Sequence, residues 1–287
     1  MIGGLMARVR MLARLRTGPG SDWPTVLVLL LPRWPWHGLL HLGLWAKRRG
    51  DFVEVRLPNG QYLVAPASAR NPAGLAVGMY RLVCFADQYG AAEHLGPGSI
   101  VVDAGANFGA FALLAGRLAE GGRVVAVEPI EDTSEALRRM CELNGLSNVT
   151  LVPAALSSAP GEMEIHASPS YPAWATGVPE RMSAKPGSKV TVRVTTIDAL
   201  VRELDLPRVD LIKIDVEGME REVIMGGRET IRAHKPVILA SAYHHPDDRT
   251  ELPKLIRDID PAYIVTLEQA GAWAEEIICA VHPSRRQ

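Results

Sequence analysis

A doubly wound α/β fold, with helices on both faces of a central, mostly parallel sheet, is what this 287-residue sequence predicts. Three observations carry the prediction. From about residue 96 onward, apolar runs of strand length alternate with helix-periodic stretches, the pattern of successive β–α units. Two such runs end in an acid, Asp103 and Asp215, that leads through a glycine-bearing turn into a new helix. A third run ends at Glu128-Pro129, where the proline stops the strand. The length exceeds one typical domain and falls short of two, so a large core plus an extension is expected.

Residues 1–50 form a basic, Trp-rich extension. Its bases include Arg8, Arg10, Arg14, Arg16, Lys47 and Arg48, against Asp22 alone. The apolar run Val26 to Leu31 is far shorter than the ~20 residues needed to span a bilayer, and Pro24, Pro32 and Pro35 break any longer helix. Arg8 to Arg16 interleave with Val9, Met11, Leu12 and Leu15. That pattern leaves three readings open for 1–45: peripheral contact with a membrane surface, packing on the domain, or a partner contact. No secretory cleavage site stands out. Residues 51–95 read as a hairpin and helix cap: strands Phe52 to Arg56 and Gln61 to Val64 around Pro58-Asn59-Gly60, then a helix from about Met79 to His94. Gly96-Pro97-Gly98 then opens the main domain, 96–287.

Ser99 to Val102 reads as a buried strand and Phe108 to Leu118 as a helix. Between them, Gly105 and Gly109 let the backbone turn sharply and approach a ligand, while the helix start presents free N–H groups. The spacing lacks the three glycines of a pyrophosphate-binding turn. A ligand without pyrophosphate but with an ammonium group suits Asp103 and Asn107, and S-adenosylmethionine is such a ligand. Asp103, Gly105, Ala106, Asn107, Phe108 and Gly109 are therefore expected to bind cofactor. The strand Arg123 to Val127 follows, ending at Glu128-Pro129, where a carboxylate about 25 residues beyond Asp103 is placed to accept both ribose hydroxyls. Taken singly, glycines for tight packing and an acid for capping are the bland alternatives.

A helix around Ser134 to Leu143 and the strand Val149 to Val152 come next, with Ala154 and Ala155 leaving room for an adenine. Strand-like pieces at Glu162 to His166 and Lys189 to Val194 flank a long loop, Ser168 to Gly187, expected to recognise the acceptor. Asp210 to Ile214 is a strand, Asp215 stands at its end, and the helix that follows is expected to stop at Gly226-Gly227 with a left-handed cap. The apolar strand read from Pro236 carries His244 and His245 at its far end, Pro236 to His245. A helix Glu251 to Ile259 and strands Tyr263 to Leu267 and Glu276 to Val281 finish the sheet.

Three stretches resemble the FkbM family of S-adenosylmethionine-dependent methyltransferases: the Asp103 to Gly109 turn, Val127-Glu128-Pro129, and Thr195 to Leu200 followed by Asp-Leu-Ile-Lys-Ile-Asp-Val-Glu-Gly at 210–218. The likeness runs from about Leu95 to Gly227 and more weakly to Val281. It implies a Rossmann-like class I methyltransferase sheet, mostly parallel with its last strand antiparallel, S-adenosylmethionine as cofactor, and methyl transfer to a small-molecule, glycan or lipid acceptor. One departure is that Ala240 and Ser241 stand where family members often carry an acid, with His244 and His245 just beyond. A sulfonium methyl is already activated, so the protein chiefly aligns an oxygen nucleophile and removes its proton. Asp215, Glu217, Lys213 and His244 are the expected catalytic groups, with His245 a further possible base. Asp215 also reaches the cofactor, and Lys213 shares its side of the strand and keeps it ionised.

Cys84, Cys141 and Cys279 form no C-x-x-C pair, which argues against a disulfide framework or zinc knuckle and for a reducing cytoplasm. The His244-His245-Pro246-Asp247-Asp248 run lacks helical ligand spacing, so no metal is expected. The main domain lacks the basic face that nonspecific nucleic-acid binding needs. The rival readings are nitrogen methylation, a nicotinamide oxidoreductase, and an inactive cofactor-binding module docked to a membrane or partner. Oligomeric state leaves no trace in the sequence.

Overall fold

The computed structural model describes residues 46–57, 59–168, 171–176, 188–270 and 275–285. The expectations for 1–45 lie outside the described residues. The chain enters as a three-stranded antiparallel sheet, β1 (Ala46–Arg49), β2 (Phe52–Arg56) and β3 (Tyr62–Pro66). The hairpin was expected; β1, which pairs with β2 from Ala46↔Val55 to Arg49↔Phe52, was not.

The helix expected over Met79 to His94 starts and stops earlier. It spans α1 (Pro72–Tyr80) and one π-helical turn, Arg81–Phe85. Asn71 sets the start, its Oδ1 accepting from Gly74 N at 3.2 Å, with Pro72 in the first turn where no N–H is missed. The chain then reverses at Asp87, whose φ is 46° and whose carboxylate accepts from Ala91 N at 2.8 Å and Ala92 N at 3.0 Å. A single 3₁₀ turn, Ala91–Glu93, follows. Asp87 and Gly90 (φ 67°) both take left-handed backbone, which a continuous helix would not allow.

The doubly wound core comes next: β4 (Ile100–Ala104), α2 (Ala110–Leu118), β5 (Arg123–Val127), α3 (Glu131–Leu143) and β6 (Val149–Val152). An inserted four-stranded sheet is built from β7 (Ala155–Leu156), β8 (Gly161–Ser168), β9 (Tyr171–Thr176) and β10 (Ser188–Thr195). The expected long loop is thus partly strand: β9 pairs antiparallel with β8. Prolines concealed it, since Pro172 sits in a strand at the sheet's edge, where a missing N–H costs little. Residues 177–187 of that loop lie outside the described residues.

The second half runs α4 (Ile197–Glu203), β11 (Leu211–Ile214), α5 (Glu220–Gly226), α6 (Arg228–His234), β12 (Val237–Ser241), α7 (Asp248–Ile259), β13 (Ile264–Ala270) and β14 (Glu275–Val281). Seven strands pair in the order β13-β14-β12-β11-β4-β5-β6, parallel except that β14 runs antiparallel to both neighbours. Strand order reverses between β4 and β11, and ligands of such sheets bind beyond the carboxyl ends at that switch point. Alternate residues feed two buried layers. Val102, Val125, Ile212 and Ile238 pack with helices α4 to α7, while Val101, Val124, Leu211 and Leu239 pack with α2 and the entry segment.

Gly226 and Gly227 do not form a left-handed cap: neither has a positive φ, and α6 begins one residue later. Their smallness serves packing instead. A Cβ on Gly226 would lie 2.0 Å from the Ser157 carbonyl oxygen, and one on Gly227 3.2 Å from Ile197. No helix among the described residues is long and apolar enough to cross a membrane.

Candidate active site

A cavity opens at the carboxyl ends of β4, β5 and β11, where the switch point puts it. Gly105, Ala106, Asn107 and Phe108 form one wall, Glu128, Pro129, Ala154 and Ala155 a second, and Lys213, Asp215 and Glu217 a third. The structure therefore gathers most of the residues singled out from the sequence around one space. The turn after β4 makes this possible. Gly105 has a φ of 76°, and a Cβ there would lie 2.0 Å from the Asp215 carbonyl oxygen, so only glycine lets the two strand ends approach this closely. Asn107 also takes left-handed backbone (φ 52°), and its Oδ1 accepts from Phe108 N at 2.8 Å.

Glu128 ties two turns together. Its Oε2 accepts from Asn107 N at 2.9 Å and its Oε1 from Ile130 N at 3.0 Å. Burial pushes its carboxyl up to about 7, although those two N–H bonds favour the charged form. Each oxygen keeps capacity for a second bond from a ligand hydroxyl.

Three expectations need correction. Asp103 does not reach the cavity wall. It is fully buried beneath the turn, because the two-residue strand period puts it on the same side as Val101. Gly109 is not on the wall either; its φ of 97° and its closeness to Met140 and Leu137 make it a packing glycine at the start of α2. Lys213 pairs with Asp103 rather than Asp215. The two stand opposite each other in the β11–β4 register, with Nζ 3.1 Å from Asp103 Oδ1. Lys213 also donates to the Gly105 and Ala104 carbonyls at 2.7 and 3.2 Å. Strand β11 ends at Ile214, so the two-residue period that would align Lys213 with Asp215 no longer applies. Burial raises the Asp103 carboxyl, and the Lys213 ammonium opposes that rise.

Asp215 lies at the centre of a cluster assembled from distant parts of the chain. Tyr89, from the entry segment, donates its hydroxyl to Asp215 Oδ2 at 2.6 Å and packs edge-on against Phe111. Burial, with Asp215 beside it, holds the Tyr89 phenol well above its ordinary range. His244, beyond β12, stands with Nε2 3.8 Å from Asp215 Oδ1 and 3.5 Å from Glu217 Oε2, and Nδ1 2.9 Å from Glu220 Oε1. Burial lowers the His244 pKa, but the Glu217 and Glu220 carboxylates, with the Asp215 charge, outweigh it and raise it to about 11. Glu220 Oε1 also accepts from Val216 N at 3.0 Å and Gly218 N at 3.3 Å, which fixes the acidic turn. His245 faces away, its Nε2 3.0 Å from the Gly218 carbonyl oxygen.

Tyr89 was missed in the sequence, as were Met79, Val83, Met163, Ile165 and Met219, which also line the cavity. The one available signal for Tyr89 was the Asp87 to Gly90 turn, which breaks the helix and aims the ring inward. The others are isolated apolar residues whose role depends on packing across the sheet.

These features fit S-adenosylmethionine. A glycine turn that a Cβ would fill, a buried carboxyl at a neighbouring strand end, and small and apolar walls match a nucleoside with an amino-acid arm. A Rossmann-like fold with this site defines a methyltransferase of class I architecture. Residues 103–271 match the Methyltransferase FkbM domain, and the chain belongs to that family; its cofactor is S-adenosylmethionine. Methyltransferase sdnD of Sordaria araneosa is 28% identical over 65% of this chain and 81% of its own length. Hexuronic acid methyltransferase AglP of Haloferax volcanii is 29% identical over 56% of this chain and 68% of its own. Among solved structures, methyltransferase FkbM from Methylobacillus flagellatus KT aligns with a TM-score of 0.48 and 20% identity, over 72% of this chain and 54% of that one.

Proposed function

We propose that this chain methylates a hydroxyl oxygen on a sugar, lipid or natural-product acceptor. The observation that carries the reading is Asp215: its carboxylate lines the cofactor cavity with one oxygen held by Tyr89, while Oδ1 has no hydrogen-bond partner. The bound cofactor supplies a methyl group already activated by its sulfonium. The protein's own residues hold the acceptor and remove its proton. Glu128 takes the ribose hydroxyls, the Gly105 to Phe108 turn the amino-acid arm, and Ala154 and Ala155 the adenine. Asp215 and Glu217 form the carboxylate pair that receives the hydroxyl proton, a role worth about two to four orders of magnitude in rate. A hydroxylated sugar acid is the acceptor class to test first, because one relative is named as a hexuronic acid methyltransferase. The free thiols Cys84, Cys141 and Cys279 accord with work in a reducing cytoplasm.

Incubation with methyl-labelled cofactor and a panel of uronic acids, glycolipids and polyols tests the reading. Label should appear in an ether methyl group; label in a methyl ester would mean a carboxylate acceptor and overturn the hydroxyl reading. Asp215→Asn should lower turnover by about 10²- to 10⁴-fold while the cofactor's calorimetric Kd stays within a few-fold. Unchanged turnover in that variant removes Asp215 from the proton transfer, and label found only on nitrogen overturns oxygen methylation.

A further inference from the structure

We infer that Asp215, Glu217 and His244 form a binding site for a divalent metal ion at the acceptor end of the cavity. The inference deepens the hydroxyl-methylation reading, on which it rests for what the ion would face. One ligand atom from each residue falls in a group whose members all lie within 4.8 Å of one another. The separations are informative. His244 Nε2 lies 3.5 Å from Glu217 Oε2 and 3.8 Å from Asp215 Oδ1, beyond the ~2.7–3.2 Å of a hydrogen bond from nitrogen. The first matches an edge of a coordination tetrahedron, since metal–ligand distances of ~2.0–2.2 Å put neighbouring ligands about 3.3–3.6 Å apart, and the second exceeds that edge by about 0.2 Å.

Two further features are those of a metal site. The His244 side chain is 9% exposed, and its other nitrogen, Nδ1, sits 2.9 Å from the Glu220 carboxylate, itself only 1% exposed. The ion displaces the proton that the surrounding carboxylates hold on His244 in its absence, and a carboxylate behind a ligating imidazole fixes which ring nitrogen faces the ion. Asp215 Oδ1, the oxygen turned toward His244, is buried and has no hydrogen-bond partner, whereas Oδ2 is held by Tyr89. Three protein ligands leave positions open, and Asp215 and Glu217 both line the cavity, so the open side faces the acceptor. One nitrogen and two carboxylates at tetrahedral spacing suit zinc first, with manganese next and magnesium, which prefers oxygen ligands alone, last. With the ion bound, Asp215 is a ligand rather than a proton acceptor, since Tyr89 holds its other oxygen. A hydroxyl resting on the ion becomes more acidic, and its proton passes to the second oxygen of Glu217 or to water.

The test reads ion binding directly. Chelator-treated, full-length protein is titrated with MnCl₂, followed by loss of the free Mn²⁺ paramagnetic signal, and with ZnCl₂ and MgCl₂ by calorimetry. One ion per chain is expected. Glu217→Gln, at a part-exposed position, and His244→Gln should each weaken it at least ~10-fold, and Glu220→Gln ~10–100-fold through the imidazole. Each variant's melting curve and S-adenosylmethionine Kd report whether it is folded. No stoichiometric binding of any of the three ions by the folded wild type overturns the site, as does binding unchanged in folded Glu217→Gln and His244→Gln. Methyl transfer to hydroxyls by a protein that binds no ion would sink the metal site alone; ion binding with label only on nitrogen would sink the hydroxyl reading alone.

Discussion

Lys213 shows how one buried charge holds a ligand-binding turn in place. Its ammonium lies between the Asp103 carboxylate and the Gly105 carbonyl, with the Tyr89 and Phe111 rings 5.6 and 6.0 Å away. Replacing only one member of such a pair strands the other in a medium that cannot solvate it. Lys213→Met should therefore cost about 3–5 kcal/mol in urea denaturation, and Asp103→Leu combined with Lys213→Met should recover most of that loss. Glu128 supports a prediction about pH. Its folded carboxyl is raised to about 7 from an ordinary 4.5, so the folded protein binds that proton more tightly than the unfolded chain. The resulting stability is complete below pH 4.5 and is lost as pH rises through 7. Relative to Glu128→Gln, the cofactor-free wild type should lose on the order of 3 kcal/mol across that window, measured by denaturation at each pH. Ribose hydroxyls donate to the charged form, so cofactor affinity should rise from pH 6 to 8 in the wild type and stay flat in Glu128→Gln. A flat wild-type profile would remove Glu128 from the ribose site.

Helices and strands here are positioned by glycines as much as by apolar faces. Helix α5 lies against the loop after β7 because Gly226 leaves no Cβ to meet the Ser157 carbonyl. Gly226→Ala should force that contact apart and destabilise the fold by about 1–3 kcal/mol, seen as a lower midpoint in thermal unfolding. The sequence marked this glycine pair correctly as the end of a helix but attached it to the wrong cause, because a cap and a close approach leave the same residue type. Strands β5 and β6 matched their expected ranges, and β4 and β11 fell close to theirs, because each is a short apolar run bounded by turn residues. Strand β9 stayed hidden. Its hydrogen bonds come from β8, and nothing local to Tyr171–Thr176 announces that partner.

Across the molecule, the cavity is closed by two parts that lie outside the sheet's β–α units. Met79, Val83 and Tyr89 come from the entry segment, and Met163 and Ile165 from the inserted sheet. Cofactor binding should therefore slow amide hydrogen exchange at both of these distant segments, while β13, at the far edge, exchanges as before. Protection confined to the Gly105 turn would mean that neither part closes on the ligand. The sequence by itself determined the winding of the sheet, the strand ends that carry acids and the glycine turn between them, because side-chain period and turn chemistry act over a few residues. Only the tertiary structure decided that Lys213 serves Asp103, that Tyr89 grips Asp215, and that His244 meets Glu217 across the end of the sheet. Those meetings depend on register between strands and on packing of segments far apart in the chain, which no local pattern encodes.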